Sequence, residues 1–478
     1  MTPDETACDD GKPIALPTND GGPVLSFVKS IEPAIMGRLL SSPLARRLAS
    51  GVSWSLLGAV IARILGLLSS VCVARILGKA GFGELGIIQT TLTTIGVVAG
   101  FGLGTTATKY ISEYKSVDRV RTGKIIAVTE IVATGTGLAS ALILIGIAPW
   151  LSVNVLADER VSGLLRVGAV NLFLSGFLGS QTGVLSGLEA FKALAQRNLI
   201  AGAATVPLMV GGAHFAGTLG SVWGLVLASL LNWSLNFISI RRECRKQGIL
   251  IRYQGCLTEW RQLWTFSVPT LLSGMMVGPA IWLCSTILVR QPQGYASMGI
   301  YNAANQWYNA IIFMPSSMCG AFTAVMSATY GSRDIVKFKK VFTSSLVACA
   351  VTAVAPAAVI IGLSGHIMRA YGQGFVAGKL ALIFVVLAAA FAASQMSVIN
   401  GLVAMRKVWH IFAIQSIWAV ALILTFYQLR RFGAVGLSAA LMISYLLQFL
   451  ICMAVYWYLV NSRVGVPDRS QSRIDEAA

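Results

Sequence analysis

VSWSLLGAVIARILGLLSSVCVARILGKAGFGELGIIQ, residues Val52 to Gln89, joins a long apolar segment with an arginine, Arg63, near its middle to the run Gly81-Phe82-Gly83-Glu84-Leu85-Gly86-Ile87. About 20 apolar residues, at 1.5 Å rise each, cross the roughly 30 Å hydrocarbon core of a bilayer, so the segment is long enough to span one. A guanidinium at that depth is costly and does not deprotonate, so it should face protein or water and not lipid. The glycine run recurs far downstream as Gly294-Tyr295-Ala296-Ser297-Met298-Gly299-Ile300. A span, a buried cation and a repeat are together the marks of a transporter.

Composition agrees. Of 478 residues, 55% are hydrophobic and 12% charged, and mean hydropathy is +0.72. A soluble domain of this length carries about twice that charged fraction. The fold class is therefore an all-α polytopic membrane protein. The formal charge of +18 does not argue for nucleic acid, because the basic residues lie between apolar runs, as the positive-inside rule places them. Residues 1–50 are polar, hold no long apolar core, and read as a disordered cytoplasmic tail with a short amphipathic piece around Ile35 to Leu48. The eight cysteines show no CxxC and read as small apolar fillers; His214, His366 and His410 are isolated, and no metal or cofactor motif is present.

Twelve spans are predicted: 52–76, 84–106, 124–148, 162–186, 197–217, 219–240, 262–289, 298–327, 340–363, 379–404, 408–428 and 434–460. The short 217–219 and 404–408 connections predict antiparallel hairpins, and prolines within spans (Pro207, Pro269, Pro279, Pro315, Pro356) predict helices that bend. If the N-terminus is cytoplasmic, 27 of the 37 Lys and Arg fall inside, eight outside, and Arg63 and Arg166 within spans. That asymmetry predicts that both termini are cytoplasmic.

An internal repeat organises the spans. Gly86 pairs with Gly299 at an offset of 213, Val184–Lys192 with Val398–Arg406 at 214, and Gly224-Leu225 with Gly436-Leu437 at 212. Each unit holds six spans, so both enter the membrane in the same direction. The expected architecture is two six-helix bundles, 51–240 and 262–460, related by a pseudo-twofold axis along the membrane normal, with a site between them. Residues 241–261 form a basic linker, expected as a surface helix on the inner leaflet, and 461–478 a cytoplasmic tail.

Ala62-Arg63-Ile64-Leu65-Gly66-Leu67, Ala74-Arg75-Ile76-Leu77-Gly78 and Gly81-Phe82-Gly83, followed by a glycine-rich second span, resemble the polysaccharide transporters of the multidrug/oligosaccharidyl-lipid/polysaccharide flippase superfamily. The resemblance covers the chain after residue 50. It implies an alternating-access flippase of the bacterial inner membrane that moves undecaprenyl-pyrophosphate-linked oligosaccharides, with no cofactor. Its implied partners are the lipid-linked oligosaccharide, the bilayer, and a polysaccharide polymerase with other assembly proteins; with no ATP site, directionality would come from coupled H⁺ or Na⁺, from substrate charge in the membrane potential, or from removal of product on the far side. The lipid II flippase branch usually has fourteen spans and a second arginine six residues after the first; here that position is Ser69.

On this reading Arg63 is a fixed charge that pairs with pyrophosphate, since guanidinium matches phosphate oxygens bidentately; the alternative is an arginine satisfied by carbonyls or by Glu130. Glu130 is the one carboxylate well inside a span, a candidate ion-coupling site or the counter-ion of Arg63. Arg166 lines the exit of the cavity or snorkels. Asn302, Asn305 and Asn309 share one helical face at i, i+3, i+7 beside Tyr301, Trp307 and Tyr308, and Gln89 is the repeat equivalent of Asn302. That face either lines a sugar-binding cavity or bonds neighbouring helices. A drug/cation antiporter would want a carboxylate-rich cavity. A membrane enzyme would want a catalytic constellation, commonly on a sizeable loop, and the outer connections are short.

Overall fold

In hydrocarbon every backbone N–H and C=O must be paired within the segment, so runs of this hydropathy become helices. The computed structural model describes residues 43–100, 102–260, 264, 267, 276–332, 334–405 and 407–461. Among them every regular element is helical. The tail before Pro43, most of the segment 261–275 with Pro269, and the tail after Asn461 lie outside the described residues.

Helix Pro43–Gly100 breaks at Gly78, where φ is 67°, into α1 (43–77) and α2 (79–100). Then come α3 (Leu103–Tyr114), α4 (Arg119–Asn154) and α5 (Arg160–Gly187). Helix Phe191–Lys246 breaks at Gly217, φ 58°, into α6 (191–215) and α7 (218–246). Downstream lie α8 (Val277–Val289), α9 (Gly294–Gly331), α10 (Ile335–Gly362), α11 (Ser364–Tyr371), α12 (Lys379–Ala404), α13 (Val408–Leu429) and α14 (Gly433–Asn461). Gly78, Gly217 and Gly433 each join two membrane-length helices through a positive φ that costs an L residue strain. The eight apolar stretches long enough to cross a membrane thus resolve into eleven membrane-length helices and the short α3, and α8 is a shorter apolar helix of 13 residues.

The helices pack in two groups. In the first, α4, α5, α6 and α7 surround α1 and α2; in the second, α12 is central, against α9, α10 and α14. The α6–α7 hairpin closes as the short connection predicts, with Gly212 against Gly220 and Gly224 against the Leu208 carbonyl. The 404–408 connection does not make such a hairpin, because α12 packs chiefly on α9, α10 and α14, and α13 lies on α14 instead. Two other expectations change. The second span is not one helix over 84–106: Gly102 is left-handed (φ 63°), and α3 starts anew after it. The basic linker is not a separate surface helix. α7 runs on to Lys246, and the following chain folds onto α4, with the Leu250 carbonyl over Gly123 and Arg121 paired to Glu259 at 3.2 Å.

The two groups meet where α2 crosses α9. Gly83 packs on the backbone of Tyr295 and Gly299, Gly299 packs on the Lys79 carbonyl, and Asn302 packs on Gly86. Glycines are needed because the backbones touch. The repeat-equivalent glycines Gly86 and Gly299 both lie in this seam, where a two-fold axis between the halves would pass. One continuous core runs through both groups here, from Val73 and Phe82 to Tyr301 and Trp418.

Candidate functional site

One set of contacts between the groups lies at the end of the molecule that carries Gly78, Gly294 and α11; another continues along α2 and α3 toward the far end, where Thr106 Oγ1 lies 2.8 Å from Ser267 Oγ, both buried. Arg75 Nε donates to the Ala370 carbonyl (2.6 Å), Tyr295 Oη to the Leu156 carbonyl (2.9 Å), and Ser70 Oγ lies 3.2 Å from Tyr371 Oη. Phe82 packs its ring against Tyr371 and Phe375, and Asn302 Nδ2 donates to the Phe82 carbonyl (3.4 Å). Ser70, Tyr371, Phe82 and Asn302 therefore form one plug. Along the α2 flank, Trp282 Nε1 donates to Thr91 Oγ1 (3.0 Å).

Below the plug the exposure of the facing residues rises along α2 and α9. On α9, Asn302 is buried, Asn305 half-buried and Asn309 exposed; on α2, Gly86 is buried, Gln89 half-buried and Thr93 exposed. Arg63 lies seven residues from Ser70 on the same face of α1, as Asn309 lies from Asn302 on α9 and Thr93 from Gly86 on α2. At 1.5 Å per residue, all three stand about 10 Å below the plug. Beside Arg63, Gly66 has nothing within 4 Å of where a Cβ would sit. Arg63 Nε and Nη2 are shielded from solvent and meet no protein acceptor. Counting from Gly78, Arg63 is about 22 Å along α1, so it stands past the centre of a 30 Å bilayer and not at mid-depth.

The other expected site residues divide. Asn302 bonds between helices within the plug. Asn309 Nδ2 donates to its own helix, to the Asn305 carbonyl (3.1 Å), and Gln89, Asn305 and Asn309 lie below the plug. Arg166 is exposed, on the α5 face it shares with Gly163 and Val170, and is not drawn to Arg63. Glu130 is not the partner of Arg63: its Oε2 accepts from Tyr253 Oη at 2.6 Å, and Arg241 Nη2 donates to that phenol at 3.2 Å. Burial first, and then the bond to Glu130, push the Tyr253 phenol above its ordinary range. The protonated form is the one the fold prefers, so this docking is full below about pH 10 and is lost as pH rises through the raised value. We expect trypsin cleavage at Arg252 to accelerate only above that pH, and Tyr253→Phe to accelerate it at neutral pH.

Sequence reasoning missed Arg197. It was counted with the solvated cytoplasmic residues, yet it is 3% exposed, with Nη2 on Asn198 Oδ1 (3.2 Å) and Nε and Nη1 without a partner. The signal was available, since Leu194, Arg197 and Ala201 share one face at i, i+3, i+7.

A polytopic helical bundle in two groups that meet at a glycine seam, with an intramembrane guanidinium that finds no protein acceptor, is the architecture of a membrane transporter. The chain belongs to the polysaccharide biosynthesis protein family, whose pattern matches residues 48–327. It is similar to the EPS I polysaccharide export inner membrane protein EpsE of Ralstonia solanacearum, 22% identical over 86% of this chain and 94% of that protein. The Ralstonia nicotianae counterpart is also 22% identical, over 83% and 91%. Among solved structures, an inward-facing multidrug resistance MATE family transporter of the MOP superfamily superimposes with a TM-score of 0.67 at 15% identity, covering 84% of this chain and 96% of that one. The lipid II flippase MurJ in an inward closed conformation gives 0.65 at 16%, covering 84% and 86%. These share the fold. The relatives are named as exporters and not as enzymes.

Proposed function

We propose that this protein is an inner-membrane flippase for a polyprenyl-pyrophosphate-linked saccharide, a precursor of surface polysaccharide. The observation that carries the reading is Arg63, an intramembrane guanidinium whose Nε and Nη2 are shielded from solvent and meet no protein acceptor. A diphosphate supplies the acceptors that the protein withholds, in bidentate geometry. With both termini cytoplasmic, as the Lys/Arg asymmetry requires, the plugged end faces outward and the Arg63 end faces the cytoplasm, where such a lipid is made. The head group enters beside Arg63, Gln89, Asn305 and Asn309 while the polyprenyl chain stays in lipid, and rocking of the halves parts the plug. Arg166, on its open face of α5 toward the plugged end, is assigned to the exit side.

Coupling to H⁺ or Na⁺ would fall on Glu130, the one carboxylate well inside a predicted span. Its bond to Tyr253 gives the test. If Glu130 anchors the linker, Glu130→Gln and Tyr253→Phe slow export alike; if it carries the ion, Glu130→Gln alone removes dependence on the gradient. Because the spans are poor in carboxylate, the same site suits an anionic head group better than a cationic drug. Cells depleted of this protein should lose surface polysaccharide, accumulate lipid-linked saccharide and keep their efflux of cationic dyes; dye retention with normal polysaccharide would favour a drug/cation antiporter instead. Engineered cysteines at Lys79 and Lys337 should label from outside and inside respectively, and the reverse pattern would overturn the orientation.

A further inference from the structure

Charge is divided unevenly between the halves. Arg63, Glu130, Arg166 and Arg197 all lie within helices of the first half. In the second, residues 262–289, 291–332, 341–368, 380–405, 408–429 and 432–461 contain no Lys, Arg, Asp or Glu. Carboxamides and phenols hold that ground. Gln395 Nε2 donates to Gln448 Oε1 (2.7 Å), Gln448 Nε2 donates to Gln415 Oε1 (3.1 Å), and Tyr308 Oη donates to Tyr445 Oη (2.8 Å). These five side chains and Asn400 wall a cavity of about 270 Å³ among α8, α9, α12, α13 and α14. Gln395 is 2% exposed, and its Oε1 has no donor.

The repeat separates what is structural here from what is added. At the offsets of the fourth and sixth spans, 214 and 212, Gln395 corresponds to Gln181, Gln448 to Asn236 and Tyr445 to Trp233. A buried carboxamide at each of these two positions and an aromatic thus recur in both halves, bonded across helices in the second half and not in the first, where Asn236 Nδ2 donates to Asn232 Oδ1 of its own helix (3.1 Å). The third carboxamide does not recur: offsets of 212 to 214 set Gln415 against Ala203, Gly202 or Ala201. Tyr308 corresponds to Ile95, and Asn400 to Ser186. Those three additions give the second-half cavity a cluster of carboxamides and phenols set among apolar walls of Val277, Ile312, Met396 and Ile399.

A chamber without ionic groups offers nothing to balance the charge of an inorganic ion, and apolar chains gain nothing from amides. Carboxamides both donate and accept, as hydroxyl groups do, and phenol rings supply flat apolar faces. The volume lies below the roughly 300 Å³ at which sites for drug-sized ligands begin, which suits one sugar ring and not an oligosaccharide. Tyr308 is the neighbour in sequence of Asn309, so the chamber lies one helix face away from the asparagine face of α9.

From this we infer that the second half carries a glycosyl subsite, a neutral chamber of Gln395, Gln415, Gln448, Asn400, Tyr308 and Tyr445 that takes one uncharged sugar ring, while the first half takes the phosphate. Its ligand class rests on the flippase reading.

The test uses the full chain in lipid nanodiscs, free of glycoside detergents. Saturation-transfer NMR is recorded with glucose, galactose, mannose and N-acetylglucosamine, and binding of inorganic pyrophosphate is followed separately by ³¹P line broadening. At least one hexose should bind saturably. That binding should weaken tenfold or more in Gln448→Leu and in Ala392→Phe, which fills the chamber from its wall, and stay unchanged in Arg63→Ala. Pyrophosphate should show the opposite pattern, lost in Arg63→Ala and kept in Ala392→Phe. If Gln448→Leu does not fold, Ala392→Phe decides alone. Absence of binding by every hexose, or hexose binding unchanged in Ala392→Phe, overturns the subsite. No pyrophosphate binding by the unsubstituted protein, or binding unchanged in Arg63→Ala, overturns the flippase reading separately.

Discussion

Gly83→Val is expected to break the seam between the halves. A Cβ at Gly83 would enter the Tyr295 carbonyl and approach the Gly299 amide at 2.9 Å, and backbone, unlike a side-chain tip, has no other rotamer to adopt. Overpacking of a tight core costs about 1–3 kcal/mol even where side chains can shift. Against backbone we expect the upper end, which is roughly 100-fold in an equilibrium between plugged and open forms. A cysteine at Lys79 should then react faster from outside, and export should fall because the plugged state no longer holds. Gly299→Val should act alike, since its Cβ meets the Lys79 carbonyl. Two controls grade the effect. Gly86→Ala meets the side chain of Asn302 at 2.9 Å and should be milder. Gly66→Ala meets nothing within 4 Å and should be close to neutral for folding.

Arg63→Ala should be the most damaging single change to transport that leaves the fold intact. The guanidinium makes no intramolecular hydrogen bond through Nε or Nη2, so its removal leaves no protein group stranded. What is lost is its interaction with the head group. Removing one partner of a desolvated, hydrogen-bonded charge pair costs about 2–5 kcal/mol, which is 30-fold or more in export. Arg63→Lys keeps the charge without the planar fork and should fall between alanine and wild type. Unchanged yield of folded protein with collapsed export identifies a transport role; loss of folded protein in both variants would mark Arg63 as structural.

Much of the architecture was legible in the chain. Hydropathy gives the spans because a bilayer leaves a helix as the one way to pair its backbone. The repeat points to the two groups, and its paired glycines both lie in the seam between them, Gly299 against the Lys79 carbonyl and Gly86 against the Asn302 side chain. What escaped was set by tertiary packing. The left-handed turn at Gly102 looks like any glycine in a glycine-rich span. The folding of residues 249–259 onto α4 depends on Tyr253, Arg121 and Glu259 meeting partners far away in sequence. The site was legible in part: Arg63 stands out because an arginine in an apolar run is rare, but its distance from the bilayer centre required Gly78 as a reference. The asparagine face of α9 proved double in character, with Asn302 tying helices and Asn309 exposed below the plug. Periodicity cannot separate the two uses, because both lie on one face. Gln395 and Gln448 were overlooked as isolated amides in apolar helices, although comparing each with its repeat partner shows that the pair recurs.

The most direct measurement of the central claim is movement of a polyprenyl-pyrophosphate-linked saccharide across proteoliposomes containing this protein alone, followed by loss of the inner-leaflet pool to an added saccharide-modifying reagent. We expect wild-type vesicles to expose that pool well above protein-free vesicles, and Arg63→Ala vesicles to match the protein-free rate. Equal rates for wild type and Arg63→Ala would contradict an account built on a guanidinium meeting diphosphate between two rocking halves.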